Sequence, residues 1–186
     1  MSKTKIVILA TAGITTNMLY HGISDQAEIL QVIIEHPVSI REKTKRRFRK
    51  IGVFKTLGQL AFLAMVKPFI SSKNHRIKSI MSEYNLSQKS IPKNLILNVD
   101  NVHNQRVMNQ LKALKPELIV INGTRILKRD FIAATPCPIV NIHVGITPKY
   151  RGVHGGYWAL YNNEQHLFGV TLHEVDQGID SGEIIA

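Results

Sequence analysis

Short apolar blocks alternate along the chain with longer stretches of helical period. Lys5 to Ala10 is the first block, and the turn Thr11 to Asn17 leads from it into a helix from about Met18. Glu28 to Glu35, EILQVIIE, is rich in branched aliphatic side chains and closes at His36-Pro37, which predicts a second strand. Gly52 to Ile70 and His75 to Tyr84 repeat apolar positions at helical spacing. Leu95 to Val99 predicts a third strand and Val102 to Leu114 a helix ending at Lys115-Pro116. Glu117 to Asn122, ELIVIN, is apolar almost throughout, as expected of a central parallel strand buried on both faces. A short helix to about Ala134, a strand from Ile139, a helix near Tyr157, a strand over Phe168 to Val175 and a terminal strand at EIIA complete the pattern. Such alternation predicts one α/β domain over 1–186: an open, mostly parallel twisted sheet with helices on both faces.

Composition narrows the picture. With 186 residues and 44% hydrophobic content, the chain is an ordinary globular protein long enough for one well-buried domain. Its one cysteine, Cys137, excludes an intrachain disulfide and reads as a packed thiol. Val53 to Ile70 is broken by Lys55, Gln59, Lys67 and Pro68 and falls short of the ~20 apolar residues of a membrane span. No signal peptide opens the chain, which makes the cytoplasm the expected compartment.

The net charge of +11 is unevenly spread, since Arg41 to Lys50, REKTKRRFRK, holds seven basic residues against one acid. That run is either a solvated helix face or a surface for an anionic substrate, nucleic acid or membrane. Nucleic acid is disfavoured, because no interleaved aromatics or binding motif accompany it. The stretch 38–90 as a whole reads as a helical, basic insertion between sheet elements that shapes a cleft or a homodimer surface.

The densest chemistry lies in Pro138 to Leu160, PIVNIHVGITPKYRGVHGGYWAL. On a strand, Asn141 and His143 share a face while Ile142 turns to the other. A loop carrying Gly145, Pro148, Lys149, Tyr150, Arg151, Gly152 and His154 follows directly, a basic, shaped turn at a strand end, where ligands sit in open α/β sheets. His173 and Glu174 lack the partner spacing of a metal site, so no metal is expected.

Together with Gly178-Ile179-Asp180-Ser181-Gly182, these residues resemble the folate-dependent formyltransferase family, which includes glycinamide ribonucleotide, methionyl-tRNA and nucleotide-sugar formyltransferases. The family pattern is Asn-x-His on a strand, a proline-containing loop with Arg-Gly, and a later Asp in a GxDxG turn. The resemblance is strong from about Pro116 to Ala186 and implies a Rossmann-like fold, 10-formyltetrahydrofolate as co-substrate, and Asn141, His143 and Asp180 as the catalytic residues. It further implies that Arg125, Ile126 and Leu127 form a wall of the folate pocket, Ile126 and Leu127 being equally readable as core. Asp176, Gly178 and Ile179 would build the loop over the pterin, and Pro148, Lys149, Tyr150, Arg151, Gly152 and His154 the acceptor side, with Tyr157 and Trp158 lining it or packing in the next helix.

Formyl transfer to an amine places negative charge on the former carbonyl oxygen, so donors aimed there stabilise the transition state. The resemblance gives that task to Asn141 and His143, while Asp180 orients the imidazole and helps remove the amine's proton. In the ribonucleotide branch the first turn is GNGSN and binds phosphate, whereas here it is GITTN, which favours helix capping by Thr15, Thr16 or Asn17. The run VGITPKYRGVHGGYWAL looks most like the amino-sugar branch and implies a small anionic, nucleotide-linked amino sugar as acceptor. Glycinamide ribonucleotide, methionyl-tRNA and a catalytically inactive folate-binding role are the alternatives. Family members continue beyond the point corresponding to Ile184-Ile185-Ala186, so a shortened carboxy terminus is expected.

Overall fold

Ile6, Val7, Ile8, Leu9 and Ala10 are all buried, because β1 (Thr4–Thr11) runs through the middle of a sheet covered on both faces. The computed structural model describes residues 2–71 and 74–186. Its six strands are β1, β2 (Ala27–Glu35), β3 (Ile96–Val99), β4 (Leu118–Asn122), β5 (Ile139–Val144) and β6 (Val170–Glu174), in the order β3-β2-β1-β4-β5-β6. All neighbours pair in parallel except β6, which runs antiparallel to β5. The expected open, mostly parallel sheet is therefore present.

Alternation along β1 sends its side chains into two separate cores. Val7 and Leu9 join Ile33, Ile119, Ile121 and Ile139 beneath Val107, Met108 and Leu111 of α5 (Gln105–Leu114) and Phe131 of α6 (Arg129–Ala134). Ile6, Ile8 and Ala10 join Val32, Ile34, Val120 and Val140 on the other face, where Leu19, Tyr20 and Ile23 of α1 (Ile14–Ile23) pack. Cys137 lies partly buried against the first core, and that burial pushes its thiol above the ordinary range.

Local polar chemistry moves several boundaries. Helix α1 starts at Ile14, four residues before the expected Met18, with Gly13 at its N-cap and no side-chain cap. Thr15 and Thr16 therefore sit inside the first turn, and the Thr16 hydroxyl donates back to the Thr11 carbonyl at 2.6 Å instead of capping. Helix α5 starts at Gln105 and not at Val102, because Asn101 Oδ1 accepts the His103 N–H and Asn104 Oδ1 accepts the Arg106 N–H. The last helix, α7 (Gly155–Tyr161), begins two residues earlier than expected. The terminal EIIA forms no strand of its own: Ile184 makes a single bridge to His173, flanked by bonds between Leu172 and the backbone of Ile185 and Ala186.

The chain divides into two compact units, Met1–His36 with Gln88–Ala186, and Pro37–Ser87. The second consists of α2 (Ile40–Ile51), α3 (Val53–Ser71) and α4 (Asn74–Glu83), where the sequence suggests a helical insertion; residues 72 and 73 of that stretch lie outside the described residues. Ser39 caps α2 by accepting the Glu42 N–H at 3.2 Å, and the helix ends at Gly52, whose φ of 81° favours glycine. No described helix is long and apolar enough to cross a membrane.

Candidate functional site

Antiparallel pairing of β5 with β6 sets Asn141 opposite His173 and His143 opposite Thr171. The loop after β6 then brings Asp180 onto the same face, so that one carboxylate, one amide and two imidazoles meet. Asp180 Oδ1 accepts from Asn141 Nδ2 at 3.3 Å and lies 3.5 Å from His173 Nε2. Its Oδ2 accepts the Gly152 N–H at 2.8 Å and lies 3.4 Å from His143 Nδ1. Both imidazoles are buried.

Donor accounting fixes most hydrogens in this cluster. A carbonyl can only accept, so His143 Nε2, 2.7 Å from the Tyr150 carbonyl, carries a proton, and so does His173 Nδ1, 2.7 Å from the Glu174 carbonyl. In the neutral ring His173 Nε2 accepts from Asn141 Nδ2 at 3.2 Å. Both amide hydrogens of Asn141 are thereby used, one on His173 and one on Asp180. Reversing the amide would set its oxygen against a carboxylate, which favours this orientation. The remaining nitrogen, His143 Nδ1, faces Asp180 and forms an ion pair with it whenever the ring takes a second proton.

The loop from Gly145 to His154 closes tightly behind β5. Gly145 has φ 148°, and a Cβ there would lie 2.6 Å from the Tyr150 carbonyl oxygen and 3.0 Å from His143 Nε2. Only glycine allows the loop to approach the imidazole this closely. Thr171 joins the strand to the loop, donating to the Gly145 carbonyl and accepting the Thr147 N–H. The Thr147–Pro148 bond is cis.

Beside this cluster opens a cavity of about 440 Å³. Of the residues the sequence singles out, Arg125, Ile126, Leu127, Asn141, His143, Gly152, Asp176, Gly178, Ile179 and Asp180 line it. Pro148, Lys149, Tyr150, Arg151 and His154 do not line it. Tyr150 is buried, its hydroxyl donating to Glu164 and accepting from Asn162, and Lys149 forms an ion pair with the same Glu164 at 2.5 Å. Hydrogen bonds from Lys149 and Tyr150 hold the Glu164 carboxyl below its usual range. Arg151 and His154 are exposed, His154 in the left-handed conformation at the start of α7. Tyr157 and Trp158 are also exposed and pack on Tyr161 rather than in a core. Leu127 belongs to the first core, while Ile126 is 70% exposed. Asp176 shapes the loop by accepting from the Ser181 hydroxyl and the Gly178 N–H, which lower its carboxyl's proton affinity.

Two contributors escape the sequence reading. The place of His173 beside Asn141 is one, because it depends on the register of β6. The other is Glu35 at the end of β2, almost fully buried, which accepts the backbone N–H groups of Val102 and Arg125. Arg125 Nε lies 2.5 Å from Glu35 Oε1, a contact that is ionic without hydrogen-bond alignment, and Arg125 Nη2 donates to the Asp100 carbonyl. His103 Nε2 accepts the Lys128 N–H, and burial together with the charges of Lys128 and Arg125 lowers its proton affinity. Glu35 and His103 thus hold both ends of the Arg125–Lys128 segment that forms one cavity wall. Among the described residues no group of three His, Cys, Asp or Glu side chains could hold a metal ion.

Residues 62–186 match the formyl transferase family. The chain is 30% identical over 159 residues, 82% of its length, to a methionyl-tRNA formyltransferase of a Nitratiruptor species, covering 46% of that protein. It is 25% identical over 182 residues, 97% of its length, to a methionyl-tRNA formyltransferase of Clostridioides difficile, covering 48% of it. The chain thus spans about half the length of these curated relatives. Its fold is similar to the crystal structure of phosphoribosylglycinamide formyltransferase from Anaplasma phagocytophilum, with a TM-score of 0.59 at 19% identity over 99% of this chain and 70% of that one.

Proposed function

Because the chain belongs to the formyl transferase family, we propose that it transfers a formyl group from 10-formyltetrahydrofolate to a primary amine. The observation that carries this reading is the convergence of Asn141, His143 and Asp180 at the edge of one cavity. The cavity suits the folate: apolar side chains of Ile121, Leu127, Ile132, Ile142, Val153 and Val175 form its walls, and the polar cluster sits at one side. Arg125, Ile126, Leu127, Asp176, Gly178 and Ile179 would hold the ring system there. When bound, the folate supplies the formyl carbon.

This chain's residues do the rest. Asn141 turns one of its two amide hydrogens from an internal partner to the carbonyl oxygen of the formyl group, and His173 and Asp180 keep the amide aimed until then. His143 receives the proton that the attacking amine must lose and passes it to the folate nitrogen as that nitrogen's bond to the formyl carbon breaks, and Asp180, 3.4 Å from His143 Nδ1, favours the ring while it is charged. The Gly152 N–H fixes the carboxylate in that position.

The acceptor is the finer part of the proposal. The glycine-rich, basic loop of Gly145 to His154 supports a nucleotide-linked amino sugar. The 97% overlap with a methionyl-tRNA formyltransferase supports charged initiator tRNA as a second reading. A folate-release assay over nucleotide-linked 4-amino sugars, glycinamide ribonucleotide and charged initiator tRNA decides between them. Turnover of one acceptor is expected, with losses of about a hundredfold to a thousandfold in Asn141→Ala and His143→Ala. Folate binding without turnover of any acceptor would replace this reading with an inactive folate-binding protein.

A further inference from the structure

Helix α3 has its sides reversed for a surface helix. Thr56 is fully buried and Leu60 and Val66 are half-buried, which marks the more buried side of the helix. At 3.6 residues per turn, Val53, Leu57, Ala61, Phe54, Met65 and Phe62 follow one another around roughly the opposite half of the helix. All six are exposed, Phe54 by 90% and Met65 by 71%, and no charged or amide side chain interrupts that arc. An ordinary amphipathic helix buries such a stripe.

Beside it lies the most basic segment of the chain. The α2 sequence holds seven basic residues against one acid, six of the eleven net positive charges. Phe48 and Ile51 are half-buried, while Arg41, Lys45, Arg46, Arg47, Arg49 and Lys50 are exposed. Arg47 shares a shallow cavity with Gly58, Gln59, Phe62 and Leu63, so cation and apolar surface adjoin within this unit.

From this juxtaposition we infer that α2 and the 53–66 stretch of α3 dock on an anionic lipid surface, with the apolar arc of α3 entering the interface and α2 lying against the headgroups. This does not rest on the formyl-transfer reading. Apolar insertion and a basic run are the two signals that together give stable attachment without a membrane span. A second copy fits poorly, because pairing the apolar arcs would bring two strongly basic helices together. A nucleic acid would satisfy the cations and leave Val53, Leu57 and Met65 in water.

The test is co-sedimentation of the full chain with vesicles of equal parts phosphatidylcholine and phosphatidylglycerol, and with phosphatidylcholine alone. Binding to the anionic vesicles is expected to exceed that to neutral ones by at least about tenfold and to weaken with salt. The charge reversal Arg46→Glu with Arg47→Glu, and separately the triple change Phe54→Ser, Phe62→Ser, Met65→Ser, should each lower it by about tenfold or more. All five side chains are exposed, and circular dichroism of each variant checks that it folds. In Phe54→Trp on a Trp158→Phe background, emission of the introduced indole should shift to the blue and be quenched by brominated lipid. Absence of vesicle binding, full binding by the triple variant, or RNA binding in its place would each overturn the inference. So would a dimer, seen by light scattering, that hides the introduced indole from lipid.

Discussion

Asp180 Oδ2 lies 3.4 Å from His143 Nδ1 and receives the Gly152 N–H at 2.8 Å, so one oxygen serves both the imidazole and the loop. Asp180→Asn separates these tasks, because its amide oxygen can still accept from Gly152 while the negative charge is gone. Activity should fall by about a hundredfold to ten-thousandfold in kcat, the usual range for losing acid–base assistance, with folate KM little changed. Single-turnover folate release checks this. A rise in KM with unchanged kcat would assign Asp180 to binding alone.

The sheet is legible in the sequence because burial on both faces leaves its mark residue by residue, as in Ile6 to Ala10 and Leu118 to Asn122. Asn141 and His143 are legible for a similar reason, since strand alternation fixes their common face. His173 is not, because a loop and helix α7 separate β5 from β6 and nothing local sets the register that puts it opposite Asn141. Glu35 is hidden differently: an acid at a strand end reads as a solvated terminus until Arg125, distant in sequence, is seen against it. The terminal EIIA misleads because apolar composition cannot tell one bridge from a strand.

Glu35→Gln should test whether the buried ion pair holds the cavity wall. The substitution keeps the shape of the side chain and leaves Arg125 without its counter-charge. Breaking a buried pair costs about 3–5 kcal/mol, and the partial exposure of Arg125 reduces that to roughly 2–3 kcal/mol here. Urea unfolding measures the loss. Folate affinity should weaken as well, since the Arg125 backbone N–H also rests on Glu35.

A pH dependence follows from His103. Its lone pair on Nε2 accepts the Lys128 N–H, and burial, then Lys128 and Arg125, pull its proton affinity below the ordinary value of 6.5. The folded state therefore binds this proton less readily than the unfolded chain does. The stabilising contribution is complete above pH 6.5 and is lost as the pH falls through the lowered value. Melting temperature against pH should show that decline, and His103→Gln should flatten it. An unchanged profile in the variant would assign the decline to other groups.

Gly145→Ala and Gly152→Ala distinguish crowding from backbone strain. Both positions have positive φ, 148° and 79°, yet a Cβ at Gly152 meets nothing within 4 Å whereas one at Gly145 meets the Tyr150 carbonyl at 2.6 Å. Gly152→Ala should therefore cost only the conformational term of about 1–2 kcal/mol. Gly145→Ala adds overpacking of about 1–3 kcal/mol. It should also displace the Tyr150 carbonyl from His143 Nε2, so that turnover falls by more than stability accounts for. Thermal unfolding with folate-release kinetics on both variants measures the two effects, and equal losses in the pair would show that the close approach of the loop to His143 does not matter.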